Sequence, residues 1–293
     1  MAFLVLWCRN PQLPVQRYCY SLKAVLVFAA IMLGGEGTVD IRVLGCHGSQ
    51  MPGCNTTSFL LNGNILIDAG TITTLLSVEE QCNINYIFVT HSHLDHVRDI
   101  MFLADNIGYL QRERPLAIYG TPYIIDALRT HLFNGIIWPD FSSLPSPEKP
   151  VLKFETIIPG EKVRLGDLDV TAILVHHIVE TVGYAIESKE GSVVFIGDTG
   201  PTDEVWDIAG RLKDLKAVFI ETSLPDSLKD VADITGHLTP FTLEQELKKL
   251  NTRNPDIYLY HMKLQHEKSI QTEIALIKNR NIHILHDGQI IRF

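Results

Sequence analysis

The stretch THSHLDHVRD, residues 90–99, places His91, His93, Asp95 and His96 within six positions. Imidazoles and a carboxylate crowded this way are poor core material and add little to a solvated face. They suit a divalent cation, with two ligand groups at i and i+2 and two more close behind. On that reading the rest of the chain must supply the remaining ligands.

Working outward, a short β-rich apolar run repeatedly ends in a chemically useful residue. YIFVT runs into His91, and LDVTAILV ends at His176 and His177. SVVFIGDTG delivers Asp198, KAVFIETS delivers Glu221 and DIYLYHMK delivers His261. DIRVLG, TSFLLN and NILIDAG predict a β-meander near residue 40, and IHILHDGQIIRF predicts a closing strand or hairpin. Helical patterns fit residues 71–81, 95–108, 123–134, 202–214 and 239–251. In the last, Thr239 and Pro240 form an N-cap with proline at the first helical position. WPDFSSLPSPEKPV holds four prolines and reads as a surface loop. One α/β domain of mixed sheets covered by helices is the expected architecture. Strand ends are rigid, and the loops leaving them can converge on one crevice.

The chain has 293 residues, 46% of them hydrophobic, enough for a substantial core. A net charge of −9 argues against broad capture of nucleic acid or of an anionic membrane. Five cysteines, Cys8, Cys19, Cys46, Cys54 and Cys82, form no C-x-x-C pair and no disulfide framework. Buried thiols in a reducing compartment are the plain reading, so a cytoplasmic location is expected. Residues 1–38 differ from the rest. LKAVLVFAAIMLGG is apolar but short for a bilayer span, and a late-starting signal peptide would instead place the protein in the periplasm. Gly34-Gly35-Glu36-Gly37 is what a purine-rich ribosome-binding site would encode, and Val39 could be a GTG start. The folded domain is therefore expected to run over residues 39–293, behind a lead of 1–38.

HSHLDH resembles the H-x-H-x-D-H signature of the metallo-β-lactamase superfamily, and later segments follow that family's order. HHIVETVGYAIE resembles the segment carrying the fifth ligand and selects His177 over His176; FIGDTG resembles the strand end whose Asp bridges two metals; YLYHMK matches the last ligand. The likeness covers residues 40–293 and implies a single-domain, four-layer αββα sandwich. It implies that His91, His93 and His177 hold one metal, that Asp95, His96 and His261 hold a second, and that Asp198 lies between them. Zn²⁺ is the expected ion, with Mn²⁺ and Fe²⁺ compatible. Two such ions lower the pKa of a shared water to about 7. Asp68 and Glu221 are candidate partners for ligand imidazoles, or plain capping carboxylates. His47, His131, His266, His283 and His286 have no motif around them.

The superfamily hosts several chemistries, so fold alone decides nothing. His93 argues against its flavodiiron members, which carry an acidic residue there. Within HLFNGIIWPDF the F-N-x-x-I-W-P element resembles class II 3′,5′-cyclic-nucleotide phosphodiesterases, as do GDTGPTDEVW, TGHLTP and YHMK. That resemblance implies hydrolysis of cAMP or cGMP to the nucleoside 5′-monophosphate. His237 would then act on the scissile phosphate, and Asp95 would orient the nucleophile besides serving as a ligand. Trp138 and Phe141 read either as apolar lid anchors or as a wall for the nucleobase, and Lys263 as a phosphate contact or a solvated lysine. A tRNA 3′-processing endoribonuclease, or another phosphodiesterase of this fold, is the alternative, although no basic arm is evident. A metal-binding module without turnover is the reading from another class. No nucleic-acid or membrane partner is expected, and a homodimer is compatible.

Overall fold

Alternate residues of single strands face two different apolar layers, and this alternation sets the architecture. Val193 and Phe195 join one core and Val194 and Ile196 another; Ala217 and Phe219 alternate the same way with Val218 and Ile220, as do Tyr258 and Tyr260 with Ile257 and Leu259. A strand buried on both faces lies inside a layered sandwich. The computed structural model describes residues 39–110, 112–250 and 254–293. The expectations for residues 1–38 lie outside the described residues.

In the first half, β1 (Asp40–Gly45), β2 (Ser58–Leu61) and β3 (Ile65–Ile67) lead to α1 (Val78–Asn83), β4 (Tyr86–Phe88) and α2 (Leu94–Gly108). There follow β5 (Leu116–Gly120), α3 (Pro122–Ala127) with a π-helical turn Leu128–Leu132, a small ladder of β6 (Pro145–Ser146) with β7 (Lys149–Pro150), and β8 (Leu152–Thr156). The second half runs through β9 (Lys162–Leu165), β10 (Leu168–Val175), β11 (Thr181–Ser188), β12 (Gly191–Phe195) and α4 (Glu204–Arg211). β13 (Leu215–Glu221), α5 (Lys229–Thr235), α6 (Pro240–Lys248), β14 (Asp256–Tyr260), α7 (Glu267–Ile274), β15 (Asn281–Ile284) and β16 (Ile290–Arg292) complete it.

Two seven-stranded sheets result, ordered β16-β1-β2-β3-β4-β5-β8 and β15-β14-β13-β12-β11-β10-β9. Each is an antiparallel meander continued by parallel strands, with β3, β4, β5 and β8 parallel in one and β12 to β15 in the other. The sheets meet over an aromatic layer in which the Phe59 ring lies 5.2 Å from Phe195, 5.6 Å from Phe219 and 5.3 Å from Tyr260. Val205, Trp206, Leu243, Leu247, Ile270 and Ile274 from α4, α6 and α7 cover the outer face of the second sheet. The fold is the αββα sandwich. No helix of the described residues is long and apolar enough to cross a membrane.

Two expectations need correction. β15 and β16 do not form a hairpin: β15 pairs with β14 and β16 with β1, so the closing segment joins the two sheets. The helix expected over residues 71–81 starts only at Val78, where Ser77 and Glu80 form a capping box. Helices α5 and α7 were missed because each is short, with little apolar sequence of its own. The Thr239 cap with Pro240 behind it is present as read.

Candidate metal centre

Because β3, β4, β12, β13 and β14 lie in the parallel parts of the sheets, their C-terminal ends share an edge. Asp68 follows β3, His91 follows β4, Asp198 stands three residues past β12, Glu221 ends β13, and His261 follows β14. His177 comes two residues after β10. His93 is the N-cap of α2, and Asp95 and His96 lie in that helix's first turn, where the helix dipole favours a carboxylate.

Hydrogen bonds at the outer ring nitrogens set how the imidazoles point. His96 Nδ1 lies 2.7 Å from Asp68 Oδ2, and His177 Nδ1 lies 2.8 Å from the Gly236 carbonyl. His91 Nδ1 is 3.0 Å from Thr90 Oγ1, whose own proton goes to Asp68. His261 Nδ1 is 2.9 Å from Ser223 Oγ, which donates to Glu221. With these nitrogens acting as donors, the four Nε2 lone pairs are directed inward. Gly236 reaches His177 because its φ of +66° closes α5 in a left-handed cap, and a Cβ there would stand 3.0 Å from the His177 backbone.

The inner nitrogens face one another. His91 Nε2 and His177 Nε2 lie 3.0 and 3.4 Å from His93 Nδ1, and His96 Nε2 lies 3.3 Å from His261 Nε2. Asp198 Oδ2 stands 3.2 Å from His261, 3.5 Å from His96 and 3.8 Å from His91, all at Nε2. Asp95 Oδ2 is 3.2 Å from His261 Nε2. Lone pairs opposed at such distances repel unless a cation lies among them. Asp198 Oδ1 is buried and has no hydrogen-bond partner among the described residues. An orphaned buried carboxylate oxygen costs on the order of 1–3 kcal/mol or more, which a cation removes. The residues fit the metals that the fold implies, and the donor atoms within each expected group, His91–His93–His177 and Asp95–His96–His261, lie within 4.8 Å of one another, as do those of His91–His96–Asp198 and His177–Asp198–His237.

Electrostatics point the same way. Burial and the neighbouring His96 hold His91 well below its ordinary value, which favours the neutral imidazole a metal needs. Burial also disfavours a charged His96, but Asp198 and Asp68 outweigh it and push His96 well up. That pocket calls for positive charge, from a proton or from a divalent cation in its place.

His237, outside both groups, has a ring 5.0 Å from that of His177 and 5.5 Å from that of His261. Its Nδ1 lies 2.7 Å from Glu221 Oε1, and one of its nitrogens is within 4.8 Å of donor atoms of His177 and Asp198. Burial disfavours its charged form, but the Glu221 carboxylate more than compensates and raises it above the ordinary value. Of the two candidate partner carboxylates, Asp68 holds a ligand-position imidazole directly, whereas Glu221 holds His237 and reaches His261 only through Ser223. Lys263 Nζ donates to the Gly48 carbonyl at 2.7 Å. Phe141 is a core residue rather than a substrate wall; Trp138 packs at 5.4 Å on Phe102, and the exposed large apolar side chains in that segment are Ile136 and Ile137. Sequence reading missed Ser223 and Thr90, whose roles depend on which strand ends adjoin. It also passed over His47, which meets Cys46 and Asp287.

Residues 63–262 match the family model described as β-lactamase superfamily domain. The 3′,5′-cyclic-nucleotide phosphodiesterase 1 of Saccharomyces cerevisiae is 29% identical over 189 residues, 56% of this chain and 50% of that one. A 3′,5′-cyclic-nucleotide phosphodiesterase of Aliivibrio fischeri is 26% identical over 75% of this chain and 77% of its own length. A ribonuclease Z of Clostridioides difficile is 30% identical over 52% of this chain and 50% of its own length. The chain thus spans about half the length of two of these relatives. The solved structure of unliganded yeast PDE1 superposes with a TM-score of 0.77 over 87% of this chain and 99% of that one, at 20% identity, which bears on the fold alone. With the sandwich, the converging strand ends and a family match over most of its length, this chain belongs to the β-lactamase superfamily.

Proposed function

We propose that the protein is a dinuclear metal-dependent phosphodiesterase that hydrolyses 3′,5′-cyclic nucleotides, cAMP or cGMP, to nucleoside 5′-monophosphates. The observation that carries this reading is His237, a buried imidazole whose protonated form Glu221 favours, beside both ligand groups. The names of the relatives support the choice of substrate.

His91, His93 and His177 would hold one divalent ion and Asp95, His96 and His261 the other, with Asp198 shared; Zn²⁺ suits the donors, and Mn²⁺ and Fe²⁺ are compatible. When bound, the ions supply an acidified water as nucleophile and positive charge for the phosphate oxygens. Asp68 and Ser223 fix the tautomers of His96 and His261. Asp95 would orient the attacking water while serving as a ligand. His237, charged on Glu221, gives its outer proton to the leaving 3′ oxygen and regains it from solvent. The second reading, a tRNA 3′-processing endoribonuclease, rests on the ribonuclease Z relative and would bring a nucleic-acid partner. Against it stands the net charge of −9.

The test is turnover of cAMP, cGMP, a 2′,3′-cyclic nucleotide and precursor tRNA by protein reconstituted with Zn²⁺ or Mn²⁺. Release of nucleoside 5′-monophosphate faster than tRNA cleavage is expected. Cleavage of precursor tRNA with both 3′,5′-cyclic nucleotides untouched would give the site to the alternative.

A further inference from the structure

A second set of soft and hard donors lies outside this centre. Cys46 follows β1, His47 is next to it, and Asp287 comes from the turn between β15 and β16. Cys46 Sγ and His47 Nδ1 each stand 3.3 Å from Asp287 Oδ1, and they are 3.9 Å from each other. Bonds of about 2.3 Å to sulfur and 2.0–2.2 Å to nitrogen and oxygen place donors around a tetrahedral ion roughly 3.3–3.6 Å apart. The three atoms are already within a few tenths of an ångström of that spacing.

We propose that Cys46, His47 and Asp287 form a mononuclear transition-metal site, for Zn²⁺ by the chemistry of its donors, separate from the dinuclear centre and independent of its substrate. The carboxylate is braced from outside, since Asp287 Oδ1 accepts from the Cys46 amide at 3.1 Å and Oδ2 from the Asn55 amide at 2.8 Å. Such outer hydrogen bonds orient ligands in metal sites. Without an ion, Oδ1 has the amide, the thiol and the imidazole all directed at one oxygen. As the metal–sulfur bond forms, the thiol proton leaves to solvent and the crowding becomes coordination. A fourth position is left for water, because His47 and Asp287 keep 15% and 17% of their side-chain surface exposed.

The plain thiol roles fit less well. Burial, with Asp287 adding to it, pushes the Cys46 thiol far above its ordinary range, so it is inert as a nucleophile or toward disulfide exchange. The ion would join the exit of β1 to a turn 240 residues later. It would also stiffen the catalytic edge, since the Cys46 carbonyl accepts the His261 amide at 2.6 Å. That bond helps to hold His261 at its φ of +66°, a left-handed backbone seldom adopted by non-glycine residues.

Cobalt substitution of the full chain tests the site, because none of the seven residues of the dinuclear centre is a cysteine. Thiolate-to-cobalt charge-transfer absorption therefore reports on a sulfur ligand alone. Co²⁺-loaded wild type is expected to show that absorption, Cys46→Ser to lose it, and Cys54→Ser and Cys82→Ser to keep it. His47→Ala, which removes a ligand outright, should weaken cobalt binding at this site by more than the roughly 10–100-fold typical of losing a partner one shell out. No charge-transfer absorption in cobalt-loaded wild type, or absorption that survives in Cys46→Ser, overturns the proposal. Should Cys46→Ser not fold, zinc-edge X-ray absorption of wild type decides: a sulfur scatterer supports the site and its absence removes it.

Discussion

His237 Nδ1 lies 2.7 Å from Oε1 of Glu221, a carboxylate with no exposed surface. The same oxygen accepts from the amides of Thr199 and Leu238, and the other takes the Ser223 hydroxyl. Glu221 is therefore fixed by three partners besides His237, and His237 inherits that orientation. A charge-assisted bond of this kind both aims the imidazole and keeps it protonated.

A pH dependence follows from its sign. The pair raises His237 above its ordinary value, so the acid form is complete below that value and is lost as pH rises through the raised one. Turnover of cyclic nucleotide should fall on that basic limb. Glu221→Gln removes the cause and should move the limb to lower pH. A limb that stays in place assigns the proton to another group.

His237→Ala should keep metal content near wild type and lower cyclic-nucleotide turnover by roughly 10²–10⁴-fold, the usual range for a general acid. The loss should shrink with bis-p-nitrophenyl phosphate, whose leaving group needs little protonation. His91→Ala should instead lose metal and impair both substrates. Metal loss in His237→Ala equal to that in His91→Ala makes residue 237 a ligand.

Asp68 takes the His96 imidazole, the Thr90 amide and the Thr90 hydroxyl, each within 2.8 Å, from a left-handed backbone at φ +58°. Asp68→Asn should weaken metal binding about 10–100-fold while the protein stays folded, as measured by titration of the metal-free protein with Zn²⁺. Unchanged affinity reduces Asp68 to a loop brace.

Gly70 has no room for a side chain, since a Cβ there would sit 2.0 Å from the Asp95 carbonyl. Gly70→Ala should destabilise by about 1–3 kcal/mol or more in urea unfolding. Gly210, exposed on α4 with nothing within 4 Å, should gain about 0.5–1 kcal/mol as alanine. Equal effects at both positions contradict the packing described.

The parts legible in the sequence were the local ones. His91, His93, Asp95 and His96 advertise their chemistry within one strand–helix junction, and Asp198 and His261 announce theirs by ending apolar runs. Thr239 and Pro240 mark a helix start because a cap is a four-residue affair. What stayed hidden depends on contacts across the fold. Ser223 matters only because β13 lies beside β14, and His47 only because Asp287 returns to it. The strained backbones of Asp68 and His261 carry no composition signal at all. Phe141 stayed open between two readings for a related reason, as an aromatic in a proline-rich loop is indistinguishable from a core plug until the loop is placed.

The number of metal ions bound per chain tests the dinuclear centre most directly. Cys46→Ser is the background of choice, because it leaves the seven residues of that centre untouched and removes any sulfur-bound ion from the count. Elemental analysis after reconstitution with Zn²⁺ or Mn²⁺ should give close to two ions per chain in that protein, and Asp198→Ala added to it should reduce both. One ion or none before the Asp198 change would contradict a shared two-metal centre.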